Sequence, residues 1–332
     1  MTALVDVSGL AIEYGAEAAN VRALDSLDLQ IAARQTLAVV GESGSGKSTL
    51  GLALGRLLPP NAIRRGGDLL LDGRSVFAYS RKEIRAFRRE RLGFVFQTPT
   101  AALDPTRRIG RQLRDMCDAT DGDPQEFASQ LLARVGFADP DKVARSFPGE
   151  LSGGMAQRVV VAMAIAHRPS LVVADEPTAS LDSSIRNHVL DILFALPRDI
   201  GAAVVILTHD LQSVASRCSH IAVMYGGRVV ETGPREHVLN SPRHPYTAGL
   251  LAATPGREIR GEQLVAIAGV PPVLHEASTS CSYAPRCPLA SAQCRSTRPE
   301  IRTIDGRDVA CHHAEQLGHD ALRSSATAVA TR

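Results

Sequence analysis

Apolar residues along this chain fall into two kinds of short segment. VDVSGLAIEY (5–14) and RALDSLDLQI (22–31) alternate apolar and polar positions, which is typical of strands with one exposed face. TLAVV (36–40), LVVA (171–174) and AAVVIL (202–207) are continuous apolar runs that predict short strands buried on both faces. Strands of this second kind indicate a parallel sheet that is covered on both sides.

Helical periodicity separates these strands along the chain. It is clearest in QEFASQLLARVGF (125–137), MAQRVVVAMAIAHR (155–168) and SIRNHVLDILFALP (184–197). Strands that alternate with helices predict an α/β fold with a parallel-sheet core. The segment IAVMYGGRVVETG (221–233) predicts a β-hairpin that turns at its glycine pair.

Length and composition favour one large globular domain with a small appendage. The chain has 332 residues, of which 44% are hydrophobic, so it can bury a substantial core. After Gly233 the sequence becomes irregular and rich in Pro and Cys, and we predict a domain over residues 1–235 and an extension over residues 236–332. Because 37 Lys and Arg nearly balance 35 Asp and Glu, nothing predicts a nucleic-acid partner.

Neither a membrane span nor a signal peptide is expected from the sequence. No apolar run approaches the roughly 20 residues that a membrane helix needs, and MTALVDVSGL lacks the basic start and apolar core of a signal peptide. We therefore expect a cytosolic chain, in which thiols stay reduced. A cluster of cysteines in that compartment favours a metal site over disulfides.

A glycine-rich loop follows the strand TLAVV. GESGSGKST (41–49) fits G-x-x-x-x-G-K-[ST] and precedes the apolar helical segment LGLALGRLL. Its glycines let backbone N–H groups point at phosphate oxygens, Lys47 would reach the β and γ phosphates, and Ser48 would ligate Mg²⁺. The predicted ATP-binding residues of this loop are Gly41, Ser43, Gly44, Gly46, Lys47, Ser48 and Thr49.

Two carboxylates end the apolar strand in LVVADEP (171–177). Asp175 could hold Mg²⁺ through water, and Glu176 could orient or deprotonate an attacking water. A solvated acidic turn is the alternative, and these residues alone do not decide between the two.

A third motif, LSGGM (151–155), comes before a helical segment. Ser152 is a predicted N-cap, and Gly153 and Gly154 permit close approach to the N-terminus of that helix. With this motif, residues 4 to 235 resemble the ATP-binding subunits of ABC transporters. The motif order of that family is complete here: Tyr14 at the adenine-stacking position, GESGSGKS, Gln97 in FVFQTPTAALDP, LSGG, the strand with Glu176, SLD (180–182), and His209 in ILTHD.

The resemblance implies a P-loop NTPase of ABC type. Such a fold has a parallel-sheet core, an antiparallel β subdomain and a helical subdomain, here at about residues 80–165. It also implies ATP hydrolysis in which Glu176, His209 and Gln97 are catalytic, and in which Gln97 joins Ser48 and Asp175 at Mg²⁺.

Members of this family work as pairs of cassettes that face head to tail. The resemblance therefore implies that Ser152, Gly153 and Gly154 act on ATP bound by the partner chain. It likewise implies that Asp182 contacts the phosphate-loop region of the partner.

The tail of the chain refines the resemblance. SPRHPYTAGLLAATP (241–255) and the cysteines after it resemble the C-terminal extension of oligopeptide and dipeptide importer ATPases. In that family the cysteines are implied to ligate a [4Fe–4S] cluster, and here they are Cys281, Cys287, Cys294 and Cys311. Four thiolates also suit zinc, and His312 and His313 support zinc as a competitor. Either metal would staple a segment too small to bury enough apolar surface.

The resemblance also implies a cellular location and a set of partner subunits. The chain would power import of peptides from the cytoplasmic face of the membrane, with a second ABC ATPase subunit, expected to be a paralogue, two membrane permease subunits and an extracytoplasmic substrate-binding protein. Nickel chelates and glutathione stay open as cargo, because the cassette never contacts the substrate.

Two competing functions are a soluble ABC-type ATPase that acts on nucleic acid or the ribosome, and an iron–sulfur sensor that only binds ATP. The first class usually carries two cassettes or a long coiled coil, and neither is evident in the sequence. Glu176 and His209 argue against the second, because a sensor that only binds ATP does not need them.

Overall fold

The computed structural model describes residues 3–15, 20–118, 122–179, 181–254 and 266–317. In chain order the strands are β1 Val5–Tyr14, β2 Val21–Ile31, β3 Thr36–Val40, β4 Ala62–Leu71, β5 Arg74–Ser75, β6 Leu92–Val95, β7 Leu171–Asp175, β8 Ala203–Thr208, β9 His220–Tyr225, β10 Arg228–Pro234, β11 Arg302–Ile304 and β12 Arg307–Val309. The helices are α1 Lys47–Leu54, α2 Arg81–Glu90, α3 Ile109–Arg114, α4 Pro124–Arg134, α5 Pro140–Arg145, α6 Gly153–Ile165, α7 Ser183–Asp199, α8 Leu211–Ala215, α9 Arg235–Asn240, α10 Pro245–Ala252 and α11 Ala292–Ser296.

The described residues form two compact units. The first unit comprises those within 1–31, 37–77 and 208–332, and the second those within 32–36 and 78–207. In the described ranges, no helix combines the length and the apolar character that crossing a membrane requires.

An antiparallel sheet in the first unit has the strand order β2-β1-β4-β5. β1 pairs with β2 from Val5 opposite Ile31 to Tyr14 opposite Val21. The alternating pattern of these two segments is confirmed as two strands of one sheet. This sheet is the antiparallel β subdomain that the resemblance implied.

A second set of strands in the first unit has the order β11-β12-β10-β9-β3. β3 is buried along its whole length and runs parallel to β9. The predicted hairpin is confirmed as β9 and β10, and its turn residues Gly226 and Gly227 have φ of 53° and 75°. Left-handed conformations at both central residues are those that a type I′ turn requires. β12 pairs with β10, so a strand from the predicted extension joins this sheet.

The second unit contains the parallel order β8-β7-β6 and the helices α2 to α7. Leu171 at the start of β7 lies opposite Leu92 of β6 and Ala203 of β8, so the three strands run in register. The apolar runs 171–174 and 202–207 are confirmed as buried strands. The three helical segments of the sequence are confirmed as α4, α6 and α7.

Candidate nucleotide-binding site

The glycine-rich loop turns between β3 and α1 in the first unit. Gly44 and Gly46 have φ of 80° and 100°, in the left-handed region that favours glycine. A Cβ on Gly46 would lie 2.5 Å from the carbonyl oxygen of Ala23, and one on Gly41 would lie 2.3 Å from that of Met224. Gly46 is the N-cap of α1, so the loop ends at a helix N-terminus, where backbone N–H groups attract anions.

Lys47 is folded back over this loop. Its Nζ donates to the carbonyl oxygens of Gly41 at 2.7 Å and Glu42 at 3.0 Å, and the residue is only 7% exposed. The ammonium group is thus fixed inside the loop, where it adds positive charge to the start of α1. The hydroxyl of Tyr14, at the end of β1, is hydrogen-bonded to Oγ1 of Thr49 at 3.2 Å. Tyr14 is therefore brought to the start of α1, where Thr49 lies two residues after Lys47.

The acidic pair lies in the second unit, at the carboxyl end of β7. Val95 of β6 is opposite Ala174 of β7, so Gln97 and Glu176 each lie two residues beyond a paired position. Parallel strands end at one sheet edge, which brings Gln97 and the acidic pair to the same edge. Carboxylate and amide oxygens of this kind are ligands that Mg²⁺ accepts.

Glu176 has a strained backbone. Its φ is 44°, which is unusual for a residue with a side chain, and its N–H donates to the carbonyl oxygen of Leu207 at 2.9 Å. A non-glycine residue in this region costs about 1–3 kcal/mol and persists where the surrounding structure imposes it, often at functional sites.

The signature motif forms the start of α6. Ser152 Oγ accepts from the N–H of Met155 at 3.3 Å, which confirms the predicted N-cap. Ser152 and Gly153 are exposed, and a Cβ on Gly153 would meet nothing within 4 Å. Gly154 is different, because a Cβ there would lie 2.5 Å from the side chain of Ile185. The outward face of the motif is therefore open and its inward face packs against α7.

Asp182 has a role within the chain that the sequence analysis did not assign. Its Oδ1 accepts from the N–H groups of Ser184 at 3.1 Å and Ile185 at 3.0 Å, so it is the N-cap of α7. An Asp directly before a helical pattern was the available signal. Its predicted contact with a partner chain stays a prediction.

His209 belongs to the first unit and follows β8. It is exposed, so it is not a buried core histidine. Asp210, the next residue, caps α8 through its Oδ1, which accepts from the N–H of Ser213 at 3.2 Å. This cap fixes the turn on which His209 lies.

The four cysteines of the extension lie in one neighbourhood. The N–H of Cys281 donates to the carbonyl oxygen of Cys294 at 2.9 Å. Burial raises the pKa of the Cys311 thiol to about 12, and negative charge on Cys287, Cys281 or Cys294 would raise it further. Burial likewise raises the pKa of Cys287 to about 11. All four are free thiols, without a disulfide.

The predicted metal staple is not shown by this arrangement. Within the described part of the chain, no three His, Cys, Asp or Glu side chains are placed so that they could hold one metal ion. His312 and His313 instead bond to the carbonyl oxygen of Thr297 and the hydroxyl of Ser291, at 2.9 and 3.0 Å.

Sequence profiles and known proteins agree with these motifs. A profile described as "ABC transporter" matches residues 24–179, and one described as "Oligopeptide/dipeptide transporter, C-terminal region" matches residues 230–294. The chain is 39% identical, over 87% of its length and 83% of the relative, to the oligopeptide transport ATP-binding protein OppD of Bacillus subtilis. It is 37% identical, over 94% of its length and 97% of the relative, to the dipeptide transport ATP-binding protein DppD of Escherichia coli.

A solved structure is similar as well. It is a dimeric ATP-binding cassette in a post-hydrolysis state bound to ADP and Pi, with a TM-score of 0.62 and 26% identity. The match covers 70% of this chain and 98% of that one, so an ABC-type cassette accounts for most of the chain. The chain therefore belongs to the ABC transporter family, among the ATP-binding subunits of oligopeptide and dipeptide transporters.

Proposed function

We propose that this chain hydrolyses ATP and that hydrolysis powers the import of peptides through membrane permease subunits. The observation that carries the proposal is the glycine-rich loop at the start of α1, with Lys47 fixed inside it by two carbonyl oxygens. The peptide cargo is inferred from relatives that are themselves peptide transport ATP-binding proteins.

At the nucleotide, the loop residues 41–49 and the N-terminus of α1 would bind the phosphates, and Tyr14 would stack on the adenine. Bound Mg²⁺ would supply charge neutralisation at the β and γ phosphates, held by Ser48, Gln97 and Asp175. Glu176 would orient the attacking water and take up its proton.

The remaining assignments concern the γ-phosphate and the partner chain. His209 would donate to the γ-phosphate, while Ser152, Gly153 and Gly154 would contact ATP bound by a second ABC ATPase subunit, which we propose to be a paralogue. Asp182 would lie at the same interface. We place the complex at the cytoplasmic face of the membrane, with two permease subunits and a substrate-binding protein, and residues 1–235 as its ATPase domain.

We further propose that Cys281, Cys287, Cys294 and Cys311 hold a [4Fe–4S] cluster. Soft thiolates suit iron–sulfur clusters and zinc alike. The choice of iron–sulfur over zinc rests on the resemblance of the extension to that of oligopeptide and dipeptide importer ATPases, whose C-terminal profile matches residues 230–294.

The cluster can be tested by colour and metal content. Anaerobically purified protein should absorb broadly near about 400 nm and contain about four irons per chain. Replacing any of the four cysteines by serine should bleach it, whereas Cys117→Ser, outside the extension, should not. A colourless anaerobic preparation with one zinc per chain and no iron would contradict the cluster.

Transport is tested with the complete proposed complex: this chain, the second ABC ATPase subunit and the permease subunits in lipid vesicles, with the substrate-binding protein on the opposite side of the membrane. ATP on the side of the membrane that carries the ATPase subunits should drive peptide transport. Glu176→Gln should abolish transport while the complex still assembles. Transport of a nickel chelate or glutathione in place of peptides would contradict the peptide cargo but leave the ATPase assignment intact. Failure to assemble with any membrane subunit would favour a soluble ATPase instead.

A further inference from the structure

A carboxylate in the glycine-rich loop is paired with an arginine from the part of the extension that holds the four cysteines, residues 281–311, here called the cysteine segment. Arg286 directly precedes Cys287 and is 244 residues from Glu42 along the chain. Its Nη1 donates to Glu42 Oε2 at 2.6 Å and its Nη2 to Oε1 at 3.0 Å. This is the two-pronged geometry in which a guanidinium binds a carboxylate most strongly.

The guanidinium of Arg286 is held on every side. Its Nε donates to the carbonyl oxygen of Ala268 at 2.7 Å, and Nη1 and Nη2 reach the Tyr225 hydroxyl and the Ile267 carbonyl oxygen at 3.3 Å. The side chain is only 5% exposed. A buried cation with all its donors engaged has one favourable position, so it fixes the carboxylate that it binds.

The backbone of Glu42 is fixed from the same direction. Its N–H donates to the hydroxyl of Tyr246 at 2.9 Å, and its carbonyl oxygen accepts from Lys47. The ring of Tyr246 packs against those of Tyr225 and Tyr283, with centroids 4.6 and 5.4 Å away. The position of Glu42, and through it the Lys47 ammonium, thus depends on residues that follow the cassette motifs.

Charge gives this pairing a consequence for the nucleotide. Glu42 is an acidic residue in a loop that must accept the negative charges of ATP, and like charges at short range repel. Arg286 neutralises that carboxylate, although the Glu42 side chain stays 26% exposed. Without the arginine, Glu42 would be free to repel the phosphates and the loop would lose an anchor.

We propose that Arg286 is a positioning residue for the phosphate loop, through which the cysteine segment sets the affinity for ATP. The inference rests on the proposed function, since it requires residues 41–49 to bind phosphate. It goes beyond it by making the extension part of the nucleotide site, rather than an appendage with its own fold.

The first arm of the test measures nucleotide affinity of the assembled transporter with a fluorescent ATP analogue. Arg286→Met should weaken binding about 10-fold, or about 1.4 kcal/mol, and raise the KM for ATP more than it lowers kcat. Arg286→Lys, which keeps the charge but not the fork, should recover part of that loss. Arg302→Met is the matched control, because Arg302 forms a similar two-pronged pair with Glu315 within the extension, at 2.7 and 3.2 Å.

The second arm is a double-mutant cycle with Glu42→Gln. If Arg286 acts through the carboxylate, Arg286→Met should cost less than about 3-fold in a Glu42→Gln background. Equal losses in both backgrounds would show that Arg286 only supports the extension, and would overturn the inference. The cycle stays informative if Arg286→Met folds poorly, because Arg286→Lys can replace it.

Lys47→Ala separates the inference from the function on which it rests. Unchanged affinity in Lys47→Ala would remove the proposed phosphate site itself. Lost affinity in Lys47→Ala together with wild-type affinity in Arg286→Met would overturn the inference alone.

Discussion

At the scale of single residues, Glu176 combines a proposed catalytic role with a strained backbone. Its φ of 44° is one that glycine adopts at lower cost. The strain is retained at the residue whose carboxylate would activate water, as is common where function and stability compete.

This strain predicts different results for two substitutions of Glu176. Glu176→Gln should bind ATP with wild-type affinity and hydrolyse it about 100-fold more slowly or worse, because the base is lost and the phosphate contacts remain. Glu176→Gly should be equally inactive but at least as stable as the wild type, because the backbone strain is relieved. Turnover and urea unfolding check both; wild-type turnover in Glu176→Gln would refute the catalytic assignment.

Two glycines of the glycine-rich loop (residues 41–49) differ in how much space they leave for a side chain. Gly44 and Gly46 both have left-handed backbones, but a Cβ meets nothing within 4 Å at Gly44 and a carbonyl oxygen at 2.5 Å at Gly46. Gly44→Ala should therefore lower the free energy of unfolding by only about 1–2 kcal/mol. Gly46→Ala should cost about 1–3 kcal/mol more, because backbone must shift. Urea unfolding of the nucleotide-free chain measures the difference, and equal losses would contradict the clash.

At the scale of elements, the sequence predicts a strand or helix correctly where the segment itself has a clear hydrophobic period or turn residues. The hairpin β9–β10 has two apolar strands around a glycine pair, and it forms as predicted. Strand β4 could not be predicted, because its segment AIRRGGDLLL interrupts the apolar residues with charges and glycines. Nor could β11 and β12, because a strand of three residues is too short to show a period.

The N-cap of helix α10 is a buried histidine, His244, that links stability to pH. His244 is 2% exposed, its Nδ1 accepts from the N–H of Tyr246 at 3.0 Å, and burial lowers its pKa from 6.5 to about 3. The unfolded chain takes up a proton here below about pH 6.5, whereas the folded chain resists until about pH 3. Stability from this group is therefore complete above pH 6.5 and is lost as the pH falls through that window.

We expect His244→Asn to reduce acid sensitivity, because Asn can cap α10 but does not titrate. Between pH 6.5 and 5 the wild type should lose up to about 2 kcal/mol more than the variant. Glu231, which accepts from the N–H of His244, has a pKa raised by burial and so an opposite pH dependence, but it is present in both proteins. Urea unfolding at the two pH values is the measurement, with the exposed His275→Asn as control. Parallel losses in wild type and His244→Asn would contradict the assignment.

At the scale of the whole molecule, motif order identified the family, but the contact between extension and phosphate loop could not be predicted. Arg286 and Glu42 are separated by 244 residues, and neither lies in a periodic pattern that points to the other. The sequence presents the extension as irregular and set apart. In the structure its β12 pairs with β10, and its arginine reaches the first residues of the loop after β3.

The proposed contact between Ser152 and ATP bound by a partner chain can be tested in the assembled transporter. Ser152 and Gly153 are exposed at the start of α6, where a bulky cation would block the approach of a phosphate held by another subunit. In a transporter whose copy of this chain carries Lys47→Ala, turnover should come only from the site on the partner cassette. Adding Ser152→Arg to that chain should then abolish the remaining turnover. Because the arginine also removes a helix cap, Asp123→Ala, which removes the cap of α4, is the matched control and should leave turnover intact. Undiminished turnover with Ser152→Arg would show that each chain hydrolyses ATP without the signature motif of the other.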